Sequence, residues 1–541
     1  MNQNWISSAI YYHIYPLGFC GAPRFAYEET TTTPRILKII DWIDHLKQMN
    51  VNAVYLGPVF ASYEHGYDTS DYRMIDRRLG TNEDFKKVCD ALHEAHIKIV
   101  LDGVFNHVGR EFWAFLDVID HKENSPYRHW FHGMNFHNTS PYGDPFTYEA
   151  WEGHYNLVKL NLQNEDVVNY LLESVGMWME QFHIDGLRLD AADCIDKQFF
   201  RRLKAYTKER DSNFWLMGEI IHGDYSLWAN KELLDSVTNY ECYKGLFSAH
   251  NTKNYFEIAY SLNRQYGNGG IYKDLLLYNF VDNHDVNRLA SVISRAEDLF
   301  NVYTMLFTMP GIPSIYYGSE FAIQGTKHNG SDADIRPCLN LSDFTSDSPL
   351  YSHICKLGAL RSEHIALQGG SYEQVCVRNE QLIYCRRHDE ETIYVALNLA
   401  DEEVEMTIDH VTQGQDLLTD KIYNGSSQGL PITIAPHGSM IIIDHVEVEK
   451  SENKETADAM ISVPITEENT STLPKIGRYR HFKGNIYSLL YIAKHSETLE
   501  DMAVYRQLYG DGSVWVRPCS MFTETVMVDG EEVPRFRYIG K

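Results

Sequence analysis

Residues 97–107 read IKIVLDGVFNH, a run of β-branched and aliphatic side chains that ends in polar residues. Apolar and polar positions do not alternate within it, which is typical of a strand buried on both faces, as in a parallel sheet. A helical pattern precedes it: residues 81–96 read TNEDFKKVCDALHEAH, in which Thr81 and Asp84 match a capping box ahead of an apolar stripe. The stretch therefore predicts a helix followed by a central strand of an α/β fold.

Similar units recur through the first 370 residues of the chain. Helical patterns such as 35–49 and 164–182 separate short apolar runs that are mostly β-branched or aromatic. A strand and a helix repeated eight times predict an α/β fold of the parallel (β/α)8, or TIM, barrel type. The eight predicted strands are 9–15, 51–57, 97–102, 186–190, 214–218, 236–240, 277–281 and 314–317.

Changes of composition along the chain predict further domains. One segment lacks a clear period and is rich in His, Tyr and Trp, which predicts an inserted domain after the third strand. Short strand-like segments after residue 370 predict a small antiparallel β-sandwich, and an acidic stretch rich in Ser and Thr predicts a flexible linker. The predicted division is 1–107 and 160–370 for the barrel, 108–159 for the inserted domain, 371–446 for the sandwich, 447–473 for the linker and 474–541 for a small β-rich C-terminal domain.

The chain is strongly acidic, since 48 Lys and Arg residues stand against 75 Asp and Glu residues, a formal charge of −27 over 541 residues. Clustered Lys and Arg bind nucleic acids and anionic membrane surfaces, so we expect neither as a partner. The nine cysteines include no C-x-x-C pair. The sequence shows neither a signal-peptide pattern nor an apolar run of about 18 residues. These features predict a cytoplasmic protein with reduced thiols.

Chemically reactive side chains follow four of the predicted strands. In a parallel barrel the carboxyl ends of all strands meet at one rim, where reactive groups collect. The third strand is followed by Asn106 and His107, and the seventh by His284 and Asp285. The fourth and fifth strands, which are neighbours, end in GLRLD (186–190) and MGE (217–219).

Asp190 and Glu219, on these neighbouring strands, match the chemistry of glycoside cleavage. Two carboxyl groups about 5–5.5 Å apart can act as nucleophile and acid/base across a glycosidic bond. The charge of Arg188 would keep Asp190 ionised, whereas Glu219 would need a raised pKa to hold its proton. Asp285 would hold sugar hydroxyls and stabilise developing positive charge. Each residue also has a structural alternative: an Asp after a strand is commonly a helix cap, and Arg188 could merely neutralise Asp193.

The segments DGVFNH (102–107), GLRLDAAD (186–193), GEI (218–220) and FVDNHD (280–285) resemble, in order, the four signature blocks of the α-amylase family of glycoside hydrolases. The resemblance covers about residues 1–446. It implies a retaining hydrolase with Asp190 as nucleophile, Glu219 as acid/base and Asp285 as transition-state stabiliser. It also implies sugar-binding roles for Tyr67, Asp68, His107, Arg188, His284 and Arg336.

The same resemblance bears on the substrate and on metals. The segment VKLN (158–161) is similar to a block of neopullulanases and cyclomaltodextrinases, with Val158 where Pro is usual, and Ala191 differs from the Val typical of α-1,6-specific members. The implied substrates are α-glucan oligosaccharides such as maltodextrins and cyclodextrins, cleaved mainly at α-1,4 bonds. No cofactor is required. Calcium is the one ion that the resemblance allows, with Asn106 as an oxygen ligand.

Two other functions remain open from the sequence. A transglycosylase or isomerase would use the same covalent intermediate, and a non-catalytic glucan-binding protein would use the same cleft. Assembly into a homo-oligomer is open as well. Residues 476–540 resemble a small uncharacterised bacterial domain family, and that resemblance implies no function.

Overall fold

The computed structural model describes residues 5–328, 331–389, 391–444, 474–494, 500–509, 513–528 and 531–540. The chain divides into two compact units, Met1–Val448 and Glu449–Lys541. The predicted linker at 447–473 lies outside the described residues. Among the described residues, no helix combines the length and apolar character needed to cross a membrane. All nine cysteines are free thiols.

Eight parallel strands form the barrel of the first unit, as predicted. Neighbouring strands pair in parallel from β8 through β1 to β6, and β7 pairs with β8. A parallel bridge between Thr238 and Tyr278 closes the ring, where the Asn239 amide donates to the Tyr278 carbonyl at 2.9 Å. The strands are β1 Tyr11–Ile14, β2 Ala53–Leu56, β3 Lys98–Gly103, β4 Gly186–Leu189, β5 Trp215–Gly218, β6 Ser236–Val237, β7 Tyr278–Phe280 and β8 Ile312–Tyr316.

The predicted strand 236–240 is too long. β6 ends at Val237, and Tyr240 already begins a helix. The side chain of Asn239 caps that helix by accepting the Cys242 amide at 3.2 Å, and this local bond ends the extended conformation. The other seven predicted strands overlap the observed ones to within two residues at either end.

Helices follow the strands around the outside of the barrel. The capping box predicted at Thr81 is present: the Asp84 amide donates to the Thr81 hydroxyl, and the Asp84 carboxylate accepts the Thr81 amide. The predicted helix 35–49 is a 3₁₀ segment, Arg35–Trp42, that continues as the short α-helix Ile43–Gln48. After β5 comes a 3₁₀ turn, Tyr225–Leu227, in place of a long helix. The main helices are Asn82–Glu94, Glu165–Phe182, Lys197–Arg210, Tyr240–Asn251, Phe256–Tyr266, Asp298–Thr308 and Pro349–Glu363.

Two excursions from the barrel shape its upper rim. A hairpin of strands Phe60–Ser62 and Thr69–Ile75 follows β2, and its connection carries residues 63–68. After β3 the chain forms a three-stranded antiparallel sheet from His107–Gly109, Ala150–Trp151 and His154–Lys159, together with the helix Trp113–His121. The segment predicted as an inserted domain therefore has its own small sheet above the barrel.

The C-terminal part of the first unit is the predicted antiparallel sandwich. Its larger sheet has the order β9-β10-β11-β16-β13-β14, and β12 pairs with β15 in a smaller sheet. Ile383, Met406, Ile432 and Ile442 belong to the apolar core of this sandwich. The strands are β9 Ser371–Val377, β10 Gln381–His388, β11 Glu391–Asn398, β12 Val404–Ile408, β13 Gln413–Asp416, β14 Ile422–Asn424, β15 Leu430–Ile434 and β16 Ser439–Asp444.

The second unit is β-rich, as predicted, and has its own core. A five-stranded antiparallel sheet and a two-stranded hairpin accompany the short helix Cys519–Thr523. Tyr479, Leu489, Tyr505 and Phe536 pack beside Phe522 of that helix. In spatial order the sheet contains β20 Val514–Pro518, β19 Asp501–Gln507, β18 Ile486–Lys494, β17 Gly477–His481 and β23 Phe536–Gly540; the hairpin is β21 Thr525–Val528 with β22 Glu531–Pro534.

Candidate active site

The carboxyl ends of the barrel strands surround a cavity of about 810 Å³. β3 ends at Gly103, β4 at Leu189 and β5 at Gly218, so the residues that follow them reach one rim. All three predicted carboxylates line the cavity. The lining residues that the sequence predicted are Tyr67, His107, Asp190, Glu219, Asp285 and Arg336.

Arg188 is a buried cation that links three carboxylates beneath this cavity. Its Nη1 donates to Asp102 at 3.0 Å and to Asp190 at 3.1 Å, and its Nη2 lies 2.7 Å from Glu219 Oε1. The register of the barrel explains the first contact, because Asp102 on β3 and Arg188 on β4 are paired partners. Only 3% of Arg188 is exposed, so these ion pairs are sheltered from water.

The shared guanidinium limits the separation of the two candidate catalytic carboxylates. Asp190 Oδ1 and Glu219 Oε1 contact different terminal nitrogens of Arg188. These nitrogens are about 2.3 Å apart in a planar guanidinium, so the two oxygens cannot lie more than about 8 Å from each other. The backbone adds a second link, since the Ala191 amide donates to Glu219 Oε2 at 3.1 Å. The two carboxylates are therefore close neighbours in the cavity wall.

Burial governs the titration of this pair. It raises the pKa of Asp190 well above its ordinary value, although Arg188 opposes the rise. Burial also raises the pKa of Glu219 against the same Arg188 charge, the direction that a proton donor needs. The role of Arg188 in keeping Asp190 ionised stays a prediction: the Arg188 charge lowers the pKa of Asp190, whereas burial and the neighbouring carboxylates raise it. Since one buried charge discourages the next, the pair tends to keep one proton.

The pKa of Asp285 shifts in the opposite direction to those of Asp190 and Glu219. Burial would raise its pKa, but His284, Arg336 and Arg188 together outweigh burial and hold the pKa of Asp285 well below its ordinary value. His284 Nε2 lies 3.0 Å from Asp285 Oδ2, and Arg336 Nη2 donates to Oδ1 at 3.1 Å. Arg336 Nε also donates to the His284 carbonyl at 2.9 Å, which fixes the orientation of both residues. Asp285 is therefore the carboxylate of the site whose surroundings favour the ionised form.

The two histidines of the site are held differently. His107 is buried, and burial lowers its pKa to about 3, so its ring is neutral near pH 7. The Asn106 side-chain nitrogen lies 3.2 Å from His107 Nδ1; an amide donor there leaves the ring proton on Nε2. That Nε2 has no hydrogen-bond partner in the described part of the chain and is 3.9 Å from Asp190. His284 instead bonds the hydroxyl of Tyr67, which also donates to Asp102 at 2.9 Å.

Three predicted sugar contacts do not line the cavity. Arg188 and His284 lie one layer behind it and act on the carboxylates in front of them. Asp68 is only 4% exposed, and its carboxylate accepts the backbone amides of Glu64, His65 and Gly66 at 2.7, 3.1 and 3.1 Å. Asp68 therefore organises the loop that carries Tyr67, and its contact with sugar stays a prediction.

The residues around Asn106 do not suit calcium. Ca²⁺ takes six to eight oxygen ligands, commonly with several carboxylates. The small cavity beside Asn106 has Asp196 as its one acidic lining residue, and that side chain already caps the helix Lys197–Arg210. Within the described ranges no group of three or more His, Cys, Asp or Glu could hold a metal ion. The Asn106 amide is placed instead to orient His107.

Several lining residues were missed from the sequence. Tyr240 and Ile221 line the cavity beyond Glu219, and Trp151 and His154 line it from the inserted sheet. Asp332 pairs with Arg336 at 2.8 Å. The last pair had a detectable signal, an acidic and a basic residue four positions apart. The others gave no such signal, because Tyr240 begins a helix directly after β6, and Trp151 and His154 lie on short strands of an insertion without a periodic pattern.

Known family models match most of the chain. The family model described as "Alpha amylase, catalytic domain" matches residues 22–349, and that described as "Maltogenic Amylase, C-terminal domain" matches residues 372–441. Residues 477–538 match a family described as a protein of unknown function. The small C-terminal domain therefore resembles uncharacterised domains, as predicted from the sequence.

Individual relatives are similar over most of their length. A cyclomaltodextrinase from a Bacillus species is 31% identical over 419 residues, 73% of this chain and 73% of that protein. The intracellular maltogenic amylase of Bacillus subtilis is 28% identical and spans 73% of this chain and 69% of that protein. A solved cyclomaltodextrinase structure superposes with a TM-score of 0.72 at 27% identity, covering 81% of this chain and 78% of that one. With more than half of the residues matching the catalytic-domain model, the chain belongs to the α-amylase family of glycoside hydrolases.

Proposed function

We propose that this protein hydrolyses α-1,4-glucosidic bonds in maltodextrins and cyclodextrins and retains the configuration at the anomeric carbon. The proposal rests on one observation: Arg188 contacts both Asp190 and Glu219, and this brings two carboxyl groups to one side of the same cavity. A nucleophile and a proton donor must both reach one glycosidic bond in the retaining reaction.

In the first step Asp190 attacks the anomeric carbon while Glu219 protonates the departing glycosidic oxygen, which gives a covalent glycosyl-enzyme. In the second step Glu219 takes a proton from water, the water oxygen attacks the same carbon, and Asp190 leaves as a carboxylate. The raised pKa of Glu219 suits this cycle, since Glu219 has to give up a proton and regain it. Asp285, which keeps its negative charge, stabilises the positive sugar carbon between the steps.

Neighbouring residues support binding of the reacting glucose ring. The partnerless Nε2 of His107 faces Asp190 and can donate to a sugar hydroxyl there. The Tyr67 ring lines the cavity and is held through its hydroxyl by Asp102. Tyr67 therefore supplies an apolar face with a fixed orientation, which suits stacking on the glucose ring.

The names of the relatives and the composition support a substrate class and a cellular location. The relatives' names include cyclomaltodextrinase and maltogenic amylase, which supports small and cyclic dextrins as substrates. The name of one relative includes the word intracellular, and the nine free thiols suit a reducing compartment, so we propose a cytoplasmic enzyme. α-Glucan oligosaccharides are its proposed partners, and nucleic acids and membranes are not.

The test is product analysis with maltoheptaose, β-cyclodextrin, pullulan and starch, combined with proton NMR of the first anomer released. We expect short malto-oligosaccharides, with the α-anomer appearing first. Products longer than the substrate at high maltose concentration would instead identify a transglycosylase. Binding of these sugars without turnover would identify a non-catalytic glucan-binding protein.

A further inference from the structure

Three aromatic rings form an exposed cluster on the surface of the first unit. The Phe25 ring stacks on Tyr27 at 5.3 Å, and the Tyr63 ring lies 5.7 Å from Phe25 and 5.9 Å from Tyr27. Tyr27 is 60% exposed and Tyr63 is 36% exposed. The rings thus contact one another but leave broad apolar faces in water.

This aromatic cluster adjoins the opening of the catalytic cavity. Arg24 and Glu64, the chain neighbours of Phe25 and Tyr63, both line that cavity. Their side chains form an ion pair at 2.7 Å, and the Arg24 guanidinium lies 5.0 Å from the centre of the Phe25 ring. The three rings do not line the cavity themselves, but the residues next to two of them in the chain form part of its wall.

A buried guanidinium fixes the loops that carry the rings. Arg78 is fully buried and donates to the backbone carbonyls of Arg24 at 2.6 Å and Glu64 at 2.7 Å. Asp76 holds Arg78 in turn, accepting at 2.9 and 2.8 Å. The Ala26 amide also donates to the Tyr63 carbonyl at 2.8 Å. Because both loops are tied to one buried ion pair, their rings are preorganised rather than free to collapse onto the surface.

The position of the cluster relates it to one end of the substrate. Its residues follow β1 and β2, whereas Glu219 follows β5, across the barrel. The proton donor stands beside the leaving group, so the far side of the cavity holds the part of the glucan that becomes attached to Asp190. A chain continuing from that part toward its non-reducing end would leave the cavity beside Tyr27 and Tyr63.

We propose that Tyr27 and Tyr63 form a glucose-binding platform for a sugar unit remote from the cleaved bond, on its non-reducing side. The proposal rests on the proposed function, since it names where a long α-glucan continues outside the catalytic cavity. Glucose is uncharged and has apolar ring faces with polar edges, which suits tyrosines whose faces and hydroxyls are both in water. A neutral ligand also suits a protein of charge −27.

The test compares long and short substrates on the Tyr27→Ala, Tyr63→Ala double variant. We expect kcat/KM for maltoheptaose to fall by about tenfold, through a higher KM, while kcat/KM for maltotriose stays within about twofold, because the short sugar ends before the platform. The Tyr27→Phe variant keeps the ring and should retain the wild-type ratio of the two substrates. Tyr260→Ala is the matched control, as Tyr260 is 69% exposed on the helix Phe256–Tyr266 and does not line the cavity.

An unchanged ratio of maltoheptaose to maltotriose efficiency in the double variant would overturn the platform while leaving the proposed function intact. If the wild-type protein cleaves neither sugar, the proposed function fails, and the platform fails with it. Sedimentation of the wild type and the double variant tests the remaining explanation, that the rings contact a second copy of the chain. A lower oligomeric state in the variant would show that the rings contact a second copy of the chain, which also overturns the platform.

Discussion

The Nη2 atom of Arg188 lies 2.7 Å from Oε1 of Glu219, so a buried cation holds the residue that the proposed reaction needs as its proton donor. Such a contact favours the ionised acid, and burial favours the neutral acid. Asp190 shares the same guanidinium, so the charge on either carboxylate affects the other. The proton of the proposed reaction therefore has to be treated as a property of the pair.

Removal of either carboxylate should abolish catalysis and leave the barrel folded. We expect Asp190→Asn and Glu219→Gln each to lower kcat by roughly a thousandfold or more, since each removes a group that acts only in the covalent steps. Steady-state assays on maltoheptaose measure the loss, and far-ultraviolet circular dichroism controls for folding. Near-normal kcat in a well-folded Asp190→Asn protein would remove Asp190 from the proposed role.

The same substitution should make the protein more stable at neutral pH. Asp190 has a raised pKa in the folded state, so between its unfolded value of about 3.9 and that raised value the native state binds more protons than the unfolded state. Stability from this group therefore falls as pH rises through the window. We expect Asp190→Asn to melt roughly 1–3 °C above wild type at pH 7, with the difference vanishing near pH 4. Thermal unfolding from pH 4 to pH 8 tests this; a constant difference across the range would contradict it.

Loss of the Arg188 cation should affect both activity and the pH profile. In Arg188→Gln, burial would act on Asp190 and Glu219 without the opposing guanidinium charge, so both pKa values should rise further. We expect kcat/KM to fall by about a hundredfold or more and its optimum to move to higher pH. Arg201→Gln, which removes an exposed ion pair with Glu232, is the control. An unshifted pH optimum would show that Arg188 does not set the titration of the pair.

Asp68 should act through the loop and not through the sugar. Asp68→Ala leaves three backbone amides without their acceptor, so the loop that positions Tyr67 should loosen. We expect KM for maltotriose to rise by about tenfold, with partial recovery in Asp68→Asn, which keeps one acceptor oxygen. Asp84→Ala removes a comparable capping bond in the helix Asn82–Glu94, far along the chain from this loop, and should leave KM unchanged. Equal KM values for the Asn and Ala variants would argue against the loop role.

The second unit should be dispensable for catalysis. Its apolar core of Tyr479, Leu489, Tyr505 and Phe536 is distinct from the cores of the first unit, and every residue of the candidate site precedes Val448. A protein ending at Val448 should keep kcat/KM within about twofold of the full chain on maltoheptaose. Inactivity of a soluble, cooperatively folded truncation would show that the second unit contributes to the reaction.

The sequence by itself determined the barrel and the identity of the chemical groups. Strands buried on both faces appear as continuous apolar runs, and each carries its polar residue just beyond its carboxyl end, so IKIVLDGVFNH already places Asn106 and His107 at the rim. Such local patterns are visible in the sequence without knowledge of the fold. The end of β6 was not predicted from such a pattern, because the Asn239 side chain caps the next helix and so competes with the extended backbone there.

Only the tertiary structure decided how the groups act on one another. Arg188 contacts Asp102, Asp190 and Glu219 at once because of the strand register across β3, β4 and β5. Burial then shifts the pKa of Asp190, and residue spacing in the sequence does not predict burial. Two loops that are far apart in the chain meet at Arg78. Their meeting buries Asp68 and brings Tyr27 beside Tyr63. Local patterns specify which strand a side chain follows, whereas long-range packing specifies its neighbours, its exposure to water and therefore its chemistry.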